Sequence, residues 1–88
     1  MKMIILIIKD SDSDVITQAL TTADYRVTRV ASTGGFLRSG VVTLLLGVDD
    51  DRVDSAIELI RSKLGKPLAS GEKRATLFVV PVEKFEQV

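Results

Sequence analysis

No cysteine, histidine, tryptophan or asparagine occurs in the 88-residue chain. Without Cys there is no disulfide framework, no thiol nucleophile and no thiolate metal site. Without His the commonest general base and the commonest metal ligand are gone. An excess of charge is missing too: twelve Lys and Arg meet twelve Asp and Glu, for a formal net charge of zero. A neutral chain exerts no net electrostatic pull on nucleic acid or an anionic membrane. The apolar run at the N-terminus, Met3–Ile8, is far short of the roughly 20 residues of a membrane span, and no small-residue cleavage site follows it. The cytoplasm is therefore the expected compartment, with no nucleic acid or membrane partner.

What is present is apolar and strand-forming. Hydrophobic residues make up 45% of the chain, in a length that suits one domain over 1–88. Residues 3–8 are unbroken β-branched and apolar side chains, which predicts a strand buried on both faces. Ser11–Ser13 offers N-cap oxygens, and Val15, Ile16, Ala19, Leu20 and Ala23 repeat at helical spacing. Residues 25–32 are rich in β formers. Residues 33–40 hold three glycines and read as a loop. Residues 41–48 are a second apolar strand. Asp49–Asp51 opens a second helix with the sign its dipole prefers, and Val53, Ala56, Ile57, Ile60 and Leu64 form its stripe. Gly65 and Pro67 end it, 66–73 is a polar connector, and 75–82 is the last strand. Pro81 lacks an amide hydrogen, which puts that strand on an edge.

The order βαββαβ predicts an α+β, ferredoxin-like fold: an antiparallel sheet with two helices on one face. The other face then has no cover from its own chain, although strands 3–8, 41–48 and 75–82 are apolar on both sides. A bare sheet of Ile, Leu and Val exceeds what monomers tolerate, so further copies of the chain are expected to cover it.

The stretch Ser32-Thr33-Gly34-Gly35-Phe36-Leu37-Arg38-Ser39-Gly40 admits two readings. Adjacent glycines can turn successive amides toward one anion, with Phe36 and Leu37 as an apolar wall. Alternatively, it is a hairpin whose Phe36 folds onto the core. It is neither a P-loop nor a dinucleotide fingerprint, since no Gly-Lys-Ser/Thr follows and it leads into a strand. Arg26 and Thr28 share one strand face and suit either a subunit cleft or an exposed edge. Gly47 either lets a ligand approach the backbone or relieves packing. On residue type alone Phe78 reads as core and Gln87 as solvent-exposed.

The run Val27-Thr28-Arg29-Val30-Ala31-Ser32-Thr33-Gly34-Gly35-Phe36-Leu37-Arg38 resembles the signature of the PII-like cyclic di-AMP receptor proteins of Gram-positive bacteria. Leu46-Gly47-Val48-Asp49-Asp50 and Ala75-Thr76-Leu77-Phe78-Val79-Val80-Pro81-Val82-Glu83 are similar as well. The resemblance implies a PII-like homotrimer with nucleotide sites between subunits, signalling to a downstream protein without catalysis. It implies ligand contacts at Arg26, Thr28, Gly35, Phe36, Leu37, Gly47, Phe78 and Gln87, and a site position at Val41. No catalytic residue, metal or resident cofactor is implied; cyclic di-AMP is the ligand.

Two departures stand out. Val41 occupies a position where family members commonly carry Asn, and the connector 66–73 replaces a long loop. An adenine edge buried against Val41 loses a hydrogen-bond partner, at about 1–3 kcal/mol. The alternative is a trimeric scaffold or regulatory interaction protein that binds another adenine nucleotide or none. An acylphosphatase-like enzyme would want an Asn that the chain lacks. An RNA-recognition module would want aromatic platforms on the two central strands, and Met3–Ile8 and Val41–Val48 contain none.

Overall fold

An all-apolar strand does not reveal by residue type which face it buries; its cover decides. In the computed structural model, which describes residues 1–30, 40–64 and 75–88, that cover comes from one side. The elements are β1 (Lys2–Lys9), α1 (Asp10–Thr22), β2 (Arg26–Val30), β3 (Val41–Val48), α2 (Val53–Leu64) and β4 (Ala75–Pro81). They form one antiparallel sheet in the order β2-β3-β1-β4. This is the ferredoxin-like βαββαβ arrangement expected from the sequence. The two unbroken apolar strands are central, and β4, with Pro81, is an edge strand as predicted.

Ile4, Leu6 and Ile8 of β1 and Val42, Leu44, Leu46 and Val48 of β3 are buried against Ile16 and Leu20 of α1 and Ala56 and Ile60 of α2. Burying each such large side chain contributes about 1.5–3 kcal/mol. The alternate residues Met3, Ile5, Ile7, Val41, Thr43 and Leu45 point to the opposite face and are only half-buried. Cross-strand pairing sets them in rows: Arg26–Gly47–Met3–Val80, Thr28–Leu45–Ile5–Phe78 and Val30–Thr43–Ile7–Thr76. The expectation that the strands are buried on both faces therefore holds on one face only within a single chain.

The helix starts differ from expectation. α1 follows β1 directly at Asp10, and its N-cap residue Lys9 makes no side-chain capping bond. With no loop before the helix, Ser11 and Ser13 lie inside its first turn. Ser13 Oγ donates back to the Asp10 carbonyl (2.8 Å), and the Asp10 amide donates to the Gly40 carbonyl (2.7 Å). The Asp triplet precedes α2 through a 3-10 turn at Asp50–Arg52, again without a side-chain cap from Asp49.

The end of α1 is a Schellman motif. The Tyr25 amide donates to the Leu20 carbonyl (2.9 Å) and the Asp24 amide to the Thr21 carbonyl (3.0 Å), with Asp24 at φ 70°. Both a side chain at that left-handed position and an anion at a helix C-terminus are unfavourable. Asp24→Gly should raise unfolding free energy by about 0.5–1 kcal/mol in urea denaturation. A loss of stability would contradict this account of the helix end. Arg52 then locks the corner, donating to the Ala23 carbonyl (3.0 Å) and lying 4.1 Å over the Tyr25 ring.

Candidate functional site

Period-two alternation on β2 places Arg26 and Thr28 on the face that carries no helix. β3 places Leu45 and Gly47 beside them in register. Together with Met3 of β1, these residues floor a groove of about 410 Å³. Its remaining walls are Met1 and three residues after or near the end of β4: Val82, Phe85 and Gln87. The Val82 amide donates to the Met1 carbonyl (3.1 Å), one step beyond the Lys2–Pro81 pair of the β1–β4 ladder, and Phe85 and Gln87 line the groove after it.

Four of the expected site residues, Arg26, Thr28, Gly47 and Gln87, thus meet in one groove. Val41 and Phe78 do not line it. Val41 sits at the far end of β3, six residues from Gly47, or roughly 20 Å along the strand. Phe78 is half exposed on the edge strand β4, in the row of Thr28 but three strand spacings away, or roughly 14 Å. Gly35, Phe36, Leu37 and the connector 66–73 lie outside the described residues. Met1, Met3, Leu45, Val82 and Phe85 were not anticipated. Period-two counting from Gly47 would have found Leu45, and pairing would have found Met3. The course of 82–88 has no periodic signal to follow.

Gly47 leaves bare backbone at the groove floor. A Cβ added there would come 3.3 Å from the terminal methyl of Met1. Because that methyl ends a flexible side chain, the floor is closed by a group that can swing away. The Met1 ammonium lies 3.0 Å from Asp50. Its hydrogen bond, and then its charge, hold the Asp50 carboxyl below the ordinary aspartate value. A carboxyl lowered in this way stabilises the fold above the unfolded aspartate pKa, and that contribution is lost as pH falls through the lowered value.

Among the described arginines Arg26 stands apart. Arg29 pairs with Asp10 (2.6 Å) and Asp14 (3.7 Å), Arg52 is held by Ala23 and Tyr25, and Arg61 pairs with Glu58. Arg26 is exposed and has no partner among the described residues. It is also the one charged side chain lining the groove, whose other walls are mostly apolar. Such a site suits an anion joined to a flat apolar body. Among the described residues no group of acidic side chains could hold a metal ion, and no helix is long and apolar enough to cross a membrane.

A family model described as "Cyclic-di-AMP receptor" matches residues 1–69. The chain belongs to the cyclic-di-AMP receptor family. This is a family of signalling receptors and not of enzymes. The chain is also similar to a solved structure, a functionally unknown protein from Pediococcus pentosaceus ATCC 25745. That likeness has 28% identity and a TM-score of 0.78, and it covers 99% of this chain and 96% of the other.

Proposed function

We propose that this receptor binds cyclic di-AMP at seams between subunits of a homotrimer and reports the level of the messenger without catalysis. The single observation that carries this reading is Arg26: an arginine without a partner among the described residues, in a groove otherwise lined by Met, Leu, Val, Phe, Thr, Gly and Gln. Its guanidinium suits one phosphodiester, bound through charge-assisted hydrogen bonds. Met3, Leu45 and Val82 cover apolar ligand surface, and Thr28 and Gln87 supply polar contacts.

The geometry also supports a shared site. Arg26 and Phe78 share the open face but stand on its two opposite edge strands, so a site that holds both around one nucleotide takes Phe78 from a neighbouring copy. The same holds for Val41, at the other end of β3. A neighbour packed on the open face also covers Ile5, Ile7 and Leu45, which no helix reaches. In this reading the chain is a single domain over 1–88 and a cytoplasmic protein, and its downstream partner is another protein.

The test is a thermal-shift and calorimetric titration with cyclic di-AMP, AMP, ATP and cyclic di-GMP. Cyclic di-AMP at 100 times its dissociation constant should stabilise each site by roughly 2.7 kcal/mol. A flat response at millimolar cyclic di-AMP would contradict the receptor reading and favour a trimeric scaffold.

A further inference from the structure

We infer that Arg52 is a positioning residue: from the turn before α2 it clasps the start of β2 and thereby fixes where Arg26 stands. The inference rests on the receptor reading and concerns a side chain outside the groove, which Arg52 does not line. Three observations carry it. Arg52 donates to the Ala23 carbonyl (3.0 Å) and lies 4.1 Å over the Tyr25 ring. Tyr25 is buried among the core residues and immediately precedes Arg26, the first residue of β2. β2 itself is an edge strand in which Val27 is half-buried and Arg26, Thr28, Arg29 and Val30 are exposed.

Apolar burial therefore does little to hold β2, and its ladder to β3 runs along one side only. A strand held so lightly takes its position from its ends. At its entry the chain leaves α1 through Asp24, whose φ of 70° is unfavourable for a side chain and persists only where the surroundings impose it. Arg52 supplies that constraint through two contacts. One N–H meets the carbonyl of Ala23, just before Asp24, and the guanidinium carbon lies over the ring of Tyr25, just after it. The Arg52 amide donates to the Asp49 carbonyl (2.9 Å), which seats Arg52 at the end of the Asp50–Arg52 turn. The Asp triplet, read from the sequence as a helix opening, thus forms the turn that carries the clasp.

The experiment measures cyclic di-AMP binding by calorimetry in wild type, Arg52→Ala, Arg52→Lys, Arg26→Ala and the double variant Arg26→Ala/Arg52→Ala. Amide hydrogen exchange is followed in the unliganded chains. Arg52→Ala should weaken binding roughly 3- to 30-fold, the factor that corresponds to one cation–π contact. Arg52→Lys, which keeps a cation over Tyr25, should fall between wild type and Arg52→Ala. In the Arg26→Ala background, Arg52→Ala should change affinity by less than about 2-fold, because a residue that acts through Arg26 then has nothing left to position. In the free chain, Arg52→Ala should speed exchange of the Tyr25 amide and of the β2 amides paired with β3 by a similar factor, while β1 is unchanged.

Ala23 is exposed, so Arg52→Ala leaves its carbonyl to water and the chain folded, which urea unfolding verifies. Wild-type affinity in Arg52→Ala would overturn the inference; with lowered stability it would make Arg52 a brace of the fold alone. Equal losses in the wild-type and Arg26→Ala backgrounds would also overturn it, because Arg52 would then not act through Arg26. A wild type that ignores cyclic di-AMP would sink the receptor reading, and with it the role of Arg52 in binding. Faster exchange in Arg52→Ala would in that case leave the clasp on β2 standing, and unchanged exchange would overturn the clasp as well.

Discussion

Arg26→Ala should weaken cyclic di-AMP binding about 10- to 150-fold while leaving the unliganded fold as stable as wild type. The argument has two halves. Hydrogen bonds to a charged group contribute about 1.5–3 kcal/mol each, and Arg26 is the one charged side chain lining the groove. In the free chain Arg26 is exposed and has no partner among the described residues, so its removal leaves no buried group unpaired. A substitution of that kind changes stability by less than about 0.5 kcal/mol. Arg26→Lys should fall between, because an ammonium keeps the charge and loses the bidentate fork. Calorimetry together with urea unfolding separates the two halves. Retained affinity in Arg26→Ala would remove the phosphate contact from the account.

Ile5→Asp should convert the assembly into single chains and abolish ligand binding with it. Ile5 lies in the middle of the open face, on central strand β1, between Leu45 and Phe78. It is half-buried in one chain and touches no part of the helical core formed by Ile4, Leu6 and their neighbours. The isolated fold should therefore survive. Packed against a neighbour, the new carboxylate would be an unpaired buried charge, at about 3–5 kcal/mol per copy. Sedimentation velocity should show wild type at about 29 kDa, three times the 9.6 kDa chain, and the variant near the single-chain mass. A variant of wild-type mass, or a wild type that sediments as one chain, would contradict the covered face.

The fold was legible where chemistry and position agree. β3 was expected over 41–48 and spans Val41–Val48. Pro81 announced an edge strand because a missing amide hydrogen cannot serve a central ladder. The face that each strand buries was not legible. Met3–Ile8 is apolar at every position, and only the placement of both helices on one side makes Ile4 buried and Ile5 half-exposed. The helix starts were misplaced because β1 enters α1 without a loop, so that a backbone carbonyl, Gly40, does what Ser11–Ser13 was expected to do.

The site divides along the same lines. Arg26, Thr28 and Gly47 lie on regular strands, where period two and register bring them together. Phe85 and Val82 lie on a segment without a repeat, which follows the end of the β1–β4 ladder at the Val82–Met1 bond. A lone exposed aromatic near a terminus gives no sign of what it faces. The resemblance supplied Phe78 and Val41 as site positions. The sheet then shows that one chain cannot bring either of them to Arg26.

That separation makes the proposed shared site directly testable by mixing subunits. Arg26→Ala and Phe78→Ala chains, each weak alone, should be refolded together in equal amounts and titrated with cyclic di-AMP by calorimetry. If one copy supplies Arg26 and its neighbour supplies Phe78, about a quarter of the seams in a random homo-oligomer regain both residues. The account predicts a high-affinity phase at about that stoichiometry. A mixture that binds no better than its two components, or a Phe78→Ala chain that alone binds like wild type, would contradict a site built from two copies.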